Sequence, residues 1–244
     1  MPVAETKQGD QWRRKSASSK DRVRVVVFCS GPLLEHGVKE FLCLLEEEPG
    51  IDLLAVLCQS QGRGPFAIFV SVVARRGLLA IPVLLVQGGT AIARWLSNPR
   101  RELILSNRMK CLWHRIEFVT DLHDPAILRK VRDLAPDLGL VYGAPILKPA
   151  LFEIPHSGTL GIHHGRLPDY RGKKTTFWAI HNGEREATVT IQLINAGLDL
   201  GAVVKEGSVP IGTMSYGKVW LSLPFIPSAL TAEGSYRSWP YAYA

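Results

Sequence analysis

Val23-Arg24-Val25-Val26-Val27-Phe28-Cys29, followed by Ser30-Gly31-Pro32, is the stretch on which the fold turns. The run is apolar on both parities apart from Arg24, as a strand covered on both faces requires, and Gly31-Pro32 breaks it. A crossover helix follows: Val38, Phe41, Leu42 and Leu45 recur at helical spacing between Gly37 and Glu48, and Pro49-Gly50 stops the helix. The same alternation continues down the chain. Asp52 to Cys58 reads as a second strand, Phe66 to Leu79 as a helix and Ile81 to Val86 as a third strand. Asp124 to Leu134 reads as a helix with Asp124 as N-cap and Pro125 at its first position, and Asp137 to Val141 as a further strand. Strand and helix alternating in this way predict right-handed crossovers and an α/β, doubly wound, mostly parallel sheet. Such sheets bind ligands beyond the carboxyl ends of their strands, where strand order reverses. The loops after Cys29, Cys58, Val86 and Val141 are therefore the places for a site. Cys29 to Leu34 lacks the GxGxxG spacing and the chain has no GxxxxGK[ST], which disfavours nicotinamide and P-loop enzymes.

The 244 residues are 46% hydrophobic and 21% charged, a globular composition that excludes a disordered or collagen-like chain. The longest candidate for a membrane span, Pro65 to Val86, is cut by Arg75, Arg76 and Gly77, so no membrane association is expected. Residues 1–22 read as a basic tail with no apolar core for a secretory signal. Residues 23–220 form the main domain, and 221–244 a short aromatic extension that suits a strand pair, a contact in a homodimer or a truncated reading frame. Cys29, Cys43, Cys58 and Cys111 show no paired spacing and read as reduced core thiols, which points to the cytoplasm. The net charge of +7 is unevenly placed: residues 1–24 carry seven bases and three acids, residues 91–115 six bases and one acid, and the rest is slightly acidic. That is not the basic, aromatic-studded face of a nucleic-acid reader. The stretch around Arg94, Arg100, Arg101, Arg108, Lys110 and Arg115 reads as a solvated helix face, with contact to a phosphate as the alternative.

Polar chemistry concentrates between Tyr142 and Gly201. It opens with Tyr142-Gly143-Ala144-Pro145-Ile146-Leu147, runs through Gly161-Ile162-His163-His164-Gly165-Arg166-Leu167-Pro168-Asp169-Tyr170-Arg171-Gly172, and closes with Gly197-Leu198-Asp199-Leu200-Gly201. Turn-forming Gly and Pro surround each titratable group, which is how loops on a rigid sheet aim polar side chains into a cleft. His163 is the natural proton carrier, because the imidazole group as such titrates near neutrality. Asp199, in a flexible loop, can reach that imidazole and stabilise its protonated form. The pair suits transfer of an acyl-type group to an amine, in which the attacking nitrogen loses a proton as a tetrahedral centre forms and collapses. A structural role for a lone histidine is the competing reading. His36, His114, His123 and His156 have no partners at metal-ligand spacing, and no metal site is assigned.

The stretch from Tyr142 to Leu147, Leu-Phe-Glu-Ile-Pro at 151–155, Ile162-His163 through Gly172, Trp178 to Glu184, and Thr188-Val189-Thr190-Ile191 leading to Leu198-Asp199-Leu200-Gly201 resemble the folate-dependent formyltransferases in order and spacing. The resemblance covers residues 136–220 closely and residues 23–135 only at the level of a Rossmann-like fold. It implies N-10-formyltetrahydrofolate as donor and a primary amine as acceptor, with no metal. It also implies that His163 and Asp199 handle protons at the reacting centre. The loops contributing Tyr142, Gly143, Ile146 and Leu147 on one side and Asn195, Gly197 and Leu198 on the other are expected to flank the pterin. Ser30, Gly31, Arg171 and Lys173 are the candidate contacts to the amine substrate; Arg171 alternatively fixes its own loop, and Lys173 with Lys174 could steer a phosphate. Phe177 and Trp178 read as helix packing and His181 as a helix end.

One departure bears on activity. The family has an Asn two residues before the catalytic histidine, where its amide donates to the developing oxyanion, and this chain has Gly161. Loss of such a donor costs roughly 3 to 4 kcal/mol. His164 and Gln192 are the candidate replacements, with Thr175, Thr176 and Asn195 nearby. The expected function is N-formylation of a small amine, an amino sugar on a nucleotide being the favoured acceptor. Initiator tRNA is disfavoured, since the residues from Leu221 to Ala244 are too few for the C-terminal β-domain of tRNA-formylating members. The alternatives are a methionyl-tRNA formyltransferase-like enzyme, a formyltetrahydrofolate hydrolase, whose paired histidines His163-His164 resembles, and a catalytically silent folate-binding paralogue.

Overall fold

The computed structural model describes residues 22–31, 36–60, 96 and 99–213. The expected helix at 66–79, strand at 81–86, the tail up to residue 21 and the extension at 221–244 lie outside the described residues. In chain order the described elements are β1 (Val23–Ser30), α1 (His36–Glu47), β2 (Ile51–Gln59), α2 (Pro99–Lys110), β3 (Ile116–Val119), α3 (Pro125–Leu134) and β4 (Leu138–Tyr142). They continue with α4 (Pro149–Phe152), β5 (Thr159–His163), α5 (Thr175–His181), β6 (Glu186–Leu193) and β7 (Val203–Pro210). The strands form one sheet in the order β3-β2-β1-β4-β5-β6-β7. The first five in that order run parallel, while β6 and β7 pair antiparallel as a hairpin added beyond β5.

β1 is buried on both faces for the reason its sequence gives. Val25, Val27 and Cys29 enter a core with Phe41, Leu42, Leu45 and Tyr142, and Val26 and Phe28 enter a second core with Leu57, Val131 and Leu151. Val38, Phe41, Leu42 and Leu45 of α1 are all buried, so the helical spacing marks the face that seals the first core. Each such side chain contributes roughly 1.5 to 3 kcal/mol of burial. α3 begins as its sequence predicts, with the Asp124 carboxylate accepting from the Ala126 N–H at 2.7 Å and Pro125 in the first turn. α2 buries Leu105 and Met109 against the first core, and Arg108 meets Glu47 at 2.5 Å while Arg115, beyond the helix, meets Glu46 at the same distance. The described part of the basic segment is thus a helix whose outer side is solvated.

Strand order reverses between β1 and β4, which lie side by side although residues 31–137 separate them in sequence. Their carboxyl ends are tied by the Ser30 hydroxyl, which donates to the Gly143 carbonyl. This is the crevice where a doubly wound sheet places its ligand. No described helix is long and apolar enough to cross a membrane.

Candidate active site

Period-two alternation sends Gly161 and His163 of β5 to one face. The antiparallel register sets Gln192 opposite Gly161 and Thr190 opposite His163, adding both to that face. The segment after β6 folds back over it. Leu193 N–H donates to the Ala202 carbonyl at 2.9 Å and Gly201 N–H to Gln192 Oε1 at 3.2 Å, closing the turn. A Cβ on Gly201 would lie 1.6 Å from the Leu193 carbonyl oxygen, so only glycine permits the return. Asn195 braces the loop from inside, accepting from Gly197 N–H and donating to the Leu200 carbonyl, both at 3.0 Å.

At the tip of this loop Asp199 adopts a left-handed backbone, φ +51°. A non-glycine residue there carries a cost of about 1 to 3 kcal/mol and persists because its surroundings fix it. Gln192 Nε2 donates to Asp199 Oδ1 at 3.0 Å and Gly172 N–H to Oδ2 at 2.9 Å. Asp199 Oδ1 stands 3.7 Å from His163 Nδ1, with the two side chains 15% and 11% exposed. The other imidazole nitrogen, Nε2, lies 2.7 Å from the Tyr170 carbonyl oxygen. A carbonyl only accepts, so Nε2 carries the hydrogen, and in the neutral ring Nδ1 is the bare nitrogen facing the carboxylate. A proton arriving at Nδ1 creates an imidazolium beside a carboxylate, and the opposite charges attract.

The structure separates the two adjacent histidines. His164 lies against Tyr142, ring centroids 5.7 Å apart and edge-on, and Tyr142 stacks on Phe41 at 5.2 Å. Burial, helped by the neighbouring His163, lowers the His164 pKa to about 4. Tyr142 and Leu147 are themselves buried in the cores, so their side chains brace the loop after β4, whereas Ile146 on the same loop is 74% exposed. Gly143 takes a left-handed turn, φ +64°. On the loop after β6, Leu198 and Leu200 are 58% and 54% exposed. Ser30 is committed to Gly143, and Gly31 donates to the Gln59 carbonyl at 3.0 Å while its own carbonyl faces Cys58 Sγ. Arg171 and Lys173 are exposed on either side of Gly172.

Gly161 leaves a gap that other residues fill. A Cβ built there would meet Ile194 Cδ1 at 2.6 Å and Gln192 Cγ at 3.7 Å. Phe177 and Trp178 correct the packing expectation, since they are 46% and 49% exposed and pack against each other and His181. α5 is short and buries its small residues Thr175, Thr176 and Ala179, which turns the aromatic stripe outward. The Thr175 hydroxyl donates to the His164 carbonyl. The backbone partners Tyr170 O and Gly172 N–H were not foreseen from sequence; only the Tyr-Arg-Gly turn hinted at them. Thr190, donating to the Gly165 carbonyl at 2.7 Å, was likewise missed.

Residues 107–217 match the family model described as formyl transferase. Over that segment the chain is similar to the formyl transferase family. The methionyl-tRNA formyltransferase of Synechococcus sp. (strain JA-3-3Ab) is 41% identical over 90 residues, 36% of this chain and 28% of that protein. That of Pelobacter propionicus is 37% identical over 115 residues, 46% of this chain and 34% of that protein. The formyl transferase segment thus spans about a third or less of these curated relatives. Among solved structures, glycinamide ribonucleotide transformylase 1 from Symbiobacterium toebii superposes with a TM-score of 0.57 at 14% identity, covering 88% of this chain and 86% of that one. A formyltetrahydrofolate deformylase from Pseudomonas syringae gives 0.52 at 17% identity, covering 82% and 55%. At these identities the superpositions establish the shared formyl transferase fold.

Proposed function

We propose that the protein is an N-formyltransferase that moves a formyl group from N-10-formyltetrahydrofolate to a primary amine on a small phosphate-bearing molecule, an amino-sugar nucleotide being the acceptor class to test first. The observation that carries this reading is the pair of His163 Nδ1 and Asp199 Oδ1 at 3.7 Å, with Nε2 tied to a carbonyl so that the bare nitrogen faces the carboxylate. The donor supplies an electrophilic formyl carbon when bound. His163 Nδ1 takes the proton that the amine loses as its nitrogen bonds to that carbon. Asp199 stabilises the imidazolium, which then returns the proton to the departing nitrogen. No protein nucleophile is needed.

The residues present suit a pterin. Ile146, Leu198 and Leu200 are large apolar side chains left uncovered on the two loops of the site, alongside the backbone groups of Gly143 and Gly197. Arg171 and Lys173 would meet the acceptor's phosphate, and Ser30 and Gly31, at the carboxyl end of β1, would supply further contacts to the acceptor. Buried free thiols at Cys29, Cys43 and Cys58 agree with a reducing, cytoplasmic setting.

The test is incubation with N-10-formyltetrahydrofolate and pooled amino-sugar nucleotides, with initiator methionyl-tRNA as a parallel arm, followed by mass spectrometry for one added formyl group. Formylated product, lost in His163→Asn, is expected; its absence in every arm overturns the proposal. Gly161, whose side-chain space Ile194 fills, favours a second reading, a folate-binding protein without turnover. Binding of a folate analogue with neither product nor formate release would establish it.

A further inference from the structure

We propose that Gln192 is a positioning residue whose amide holds the Asp199 carboxylate at a set separation from His163, close enough to stabilise a transferred proton and beyond hydrogen-bond length from the imidazole. This rests on the formyl-transfer reading for its catalytic meaning, though not for its geometry.

Gln192 is 3% exposed on β6, with Gly161 opposite it on β5. Both ends of its amide are engaged: Oε1 accepts from Gly201 N–H at 3.2 Å and Nε2 donates to Asp199 Oδ1 at 3.0 Å. The orientation follows from the donors. A backbone N–H cannot accept, so the oxygen must face Gly201 and the NH₂ group must face the carboxylate. One side chain therefore fixes the loop and the acid it carries.

The distances give this hold its significance. Asp199 is within hydrogen-bond length of Gln192 and Gly172, at 3.0 and 2.9 Å, and outside it from His163, at 3.7 Å. If the Gln192 donor is removed, the carboxylate keeps only Gly172, and the strongest remaining partner is the imidazole. Closure of that gap would favour protonated His163 before substrate arrives and so remove the base. Among the described residues, the ionisable groups nearest the pair are His164, next in sequence and turned against Tyr142; Tyr170, whose carbonyl meets His163 while its hydroxyl donates to Glu184; Glu206 of β7, 3.2 Å from Thr190, the β6 residue opposite His163; and Arg171, exposed beside Gly172. None of these bonds Asp199 as Gln192 does.

The experiment compares wild type, Gln192→Met and Gln192→Glu as full-length proteins without ligand, following the ¹⁵N-imidazole resonances of His163 against pH, with Tm recorded for each. Gln192→Met keeps the length and removes the donor. Gln192→Glu keeps the acceptor for Gly201 N–H and, once ionised, adds a second carboxylate. The midpoint of the His163 titration is expected to rise by about one pH unit in Gln192→Met and further in Gln192→Glu. In formylation assays the acid limb of kcat against pH should move by the same amount, with KM for the amine little changed. A His163 midpoint that stays put or falls in whichever variant folds overturns the inference. If the midpoint rises as expected but wild type formylates nothing, the functional reading fails and the positioning role of Gln192 stands.

Discussion

Restoring the missing amide at position 161 tests whether the space beside His163 is where negative charge develops. Gly161 lies in extended β5, so a side chain there meets no left-handed backbone penalty. The obstacle is Ile194, whose Cδ1 sits 2.6 Å and Cγ1 3.4 Å from the position of the new Cβ. Gly161→Asn alone forces that side chain aside, an overpacking cost of roughly 1 to 3 kcal/mol. Adding Ile194→Val deletes the offending methyl for about 0.5 to 1.5 kcal/mol. Against this, one well-placed oxyanion donor contributes roughly 2.7 to 4 kcal/mol to the transition state, about 10² to 10³ in kcat. The donor acts on kcat and the packing cost on folding stability, so Gly161→Asn/Ile194→Val should turn over about a hundredfold faster than wild type while its Tm falls by about 2 to 4 °C. The assay is steady-state formylation at saturating donor, with circular dichroism to confirm folding. A folded double variant with unchanged kcat would refute the reasoning.

Asp199→Asn should lower kcat by at least about a hundredfold with little change in KM, because the single amide oxygen can accept from Gly172 N–H or from Gln192 Nε2 but not both, and the amide cannot stabilise an imidazolium; equal kcat in a pH-rate series would remove Asp199 from the mechanism. His164 is held neutral with its pKa lowered from 6.5 to about 4, so the unfolded chain binds the extra proton first as pH falls. Stability should therefore drop between about pH 6.5 and 4, by about 3 kcal/mol, and His164→Phe should flatten that part of the Tm–pH curve. Arg171→Ala with Lys173→Ala should raise KM for a phosphate-bearing acceptor about tenfold and weaken its dependence on salt, with kcat retained; an unchanged KM would place the phosphate elsewhere.

How far the sequence discloses this molecule depends on whether a feature is local. The double-sided apolar run of β1 and the 38, 41, 42, 45 spacing of α1 are periodic, and the structure buries those side chains. The Asp124-Pro125 start of α3 is a local cap and was equally legible. β3 was not foreseen: it has four residues, Ile116–Val119, with Phe118 41% exposed, and so lacks an apolar period. The reversal that sets β4 beside β1 is a tertiary fact without a local signature. At the site, His163 and Asp199 stood out by side-chain chemistry and loop setting. Their partners Tyr170 O and Gly172 N–H are backbone atoms, which residue identity does not reveal. His164 misleads because neighbours at a strand end point in opposite directions; adjacency in sequence carried it away from the acid.

The place of β4 in the sheet bears on any attempt to work with the matched half of the chain alone. Residues 107–217 hold the imidazole and the carboxylate, yet β4 pairs on one side with β1, Val25 to Cys29 against Leu138 to Tyr142, far upstream of that segment. Excising it would strip β4 of that neighbour and leave Leu138, Leu140 and Tyr142 along a bare edge, an invitation to aggregation rather than an autonomous folding unit. The segment that holds His163 and Asp199 is thus completed from the other half of the polypeptide, and its crevice closes only after a long-range search has brought the first strand home.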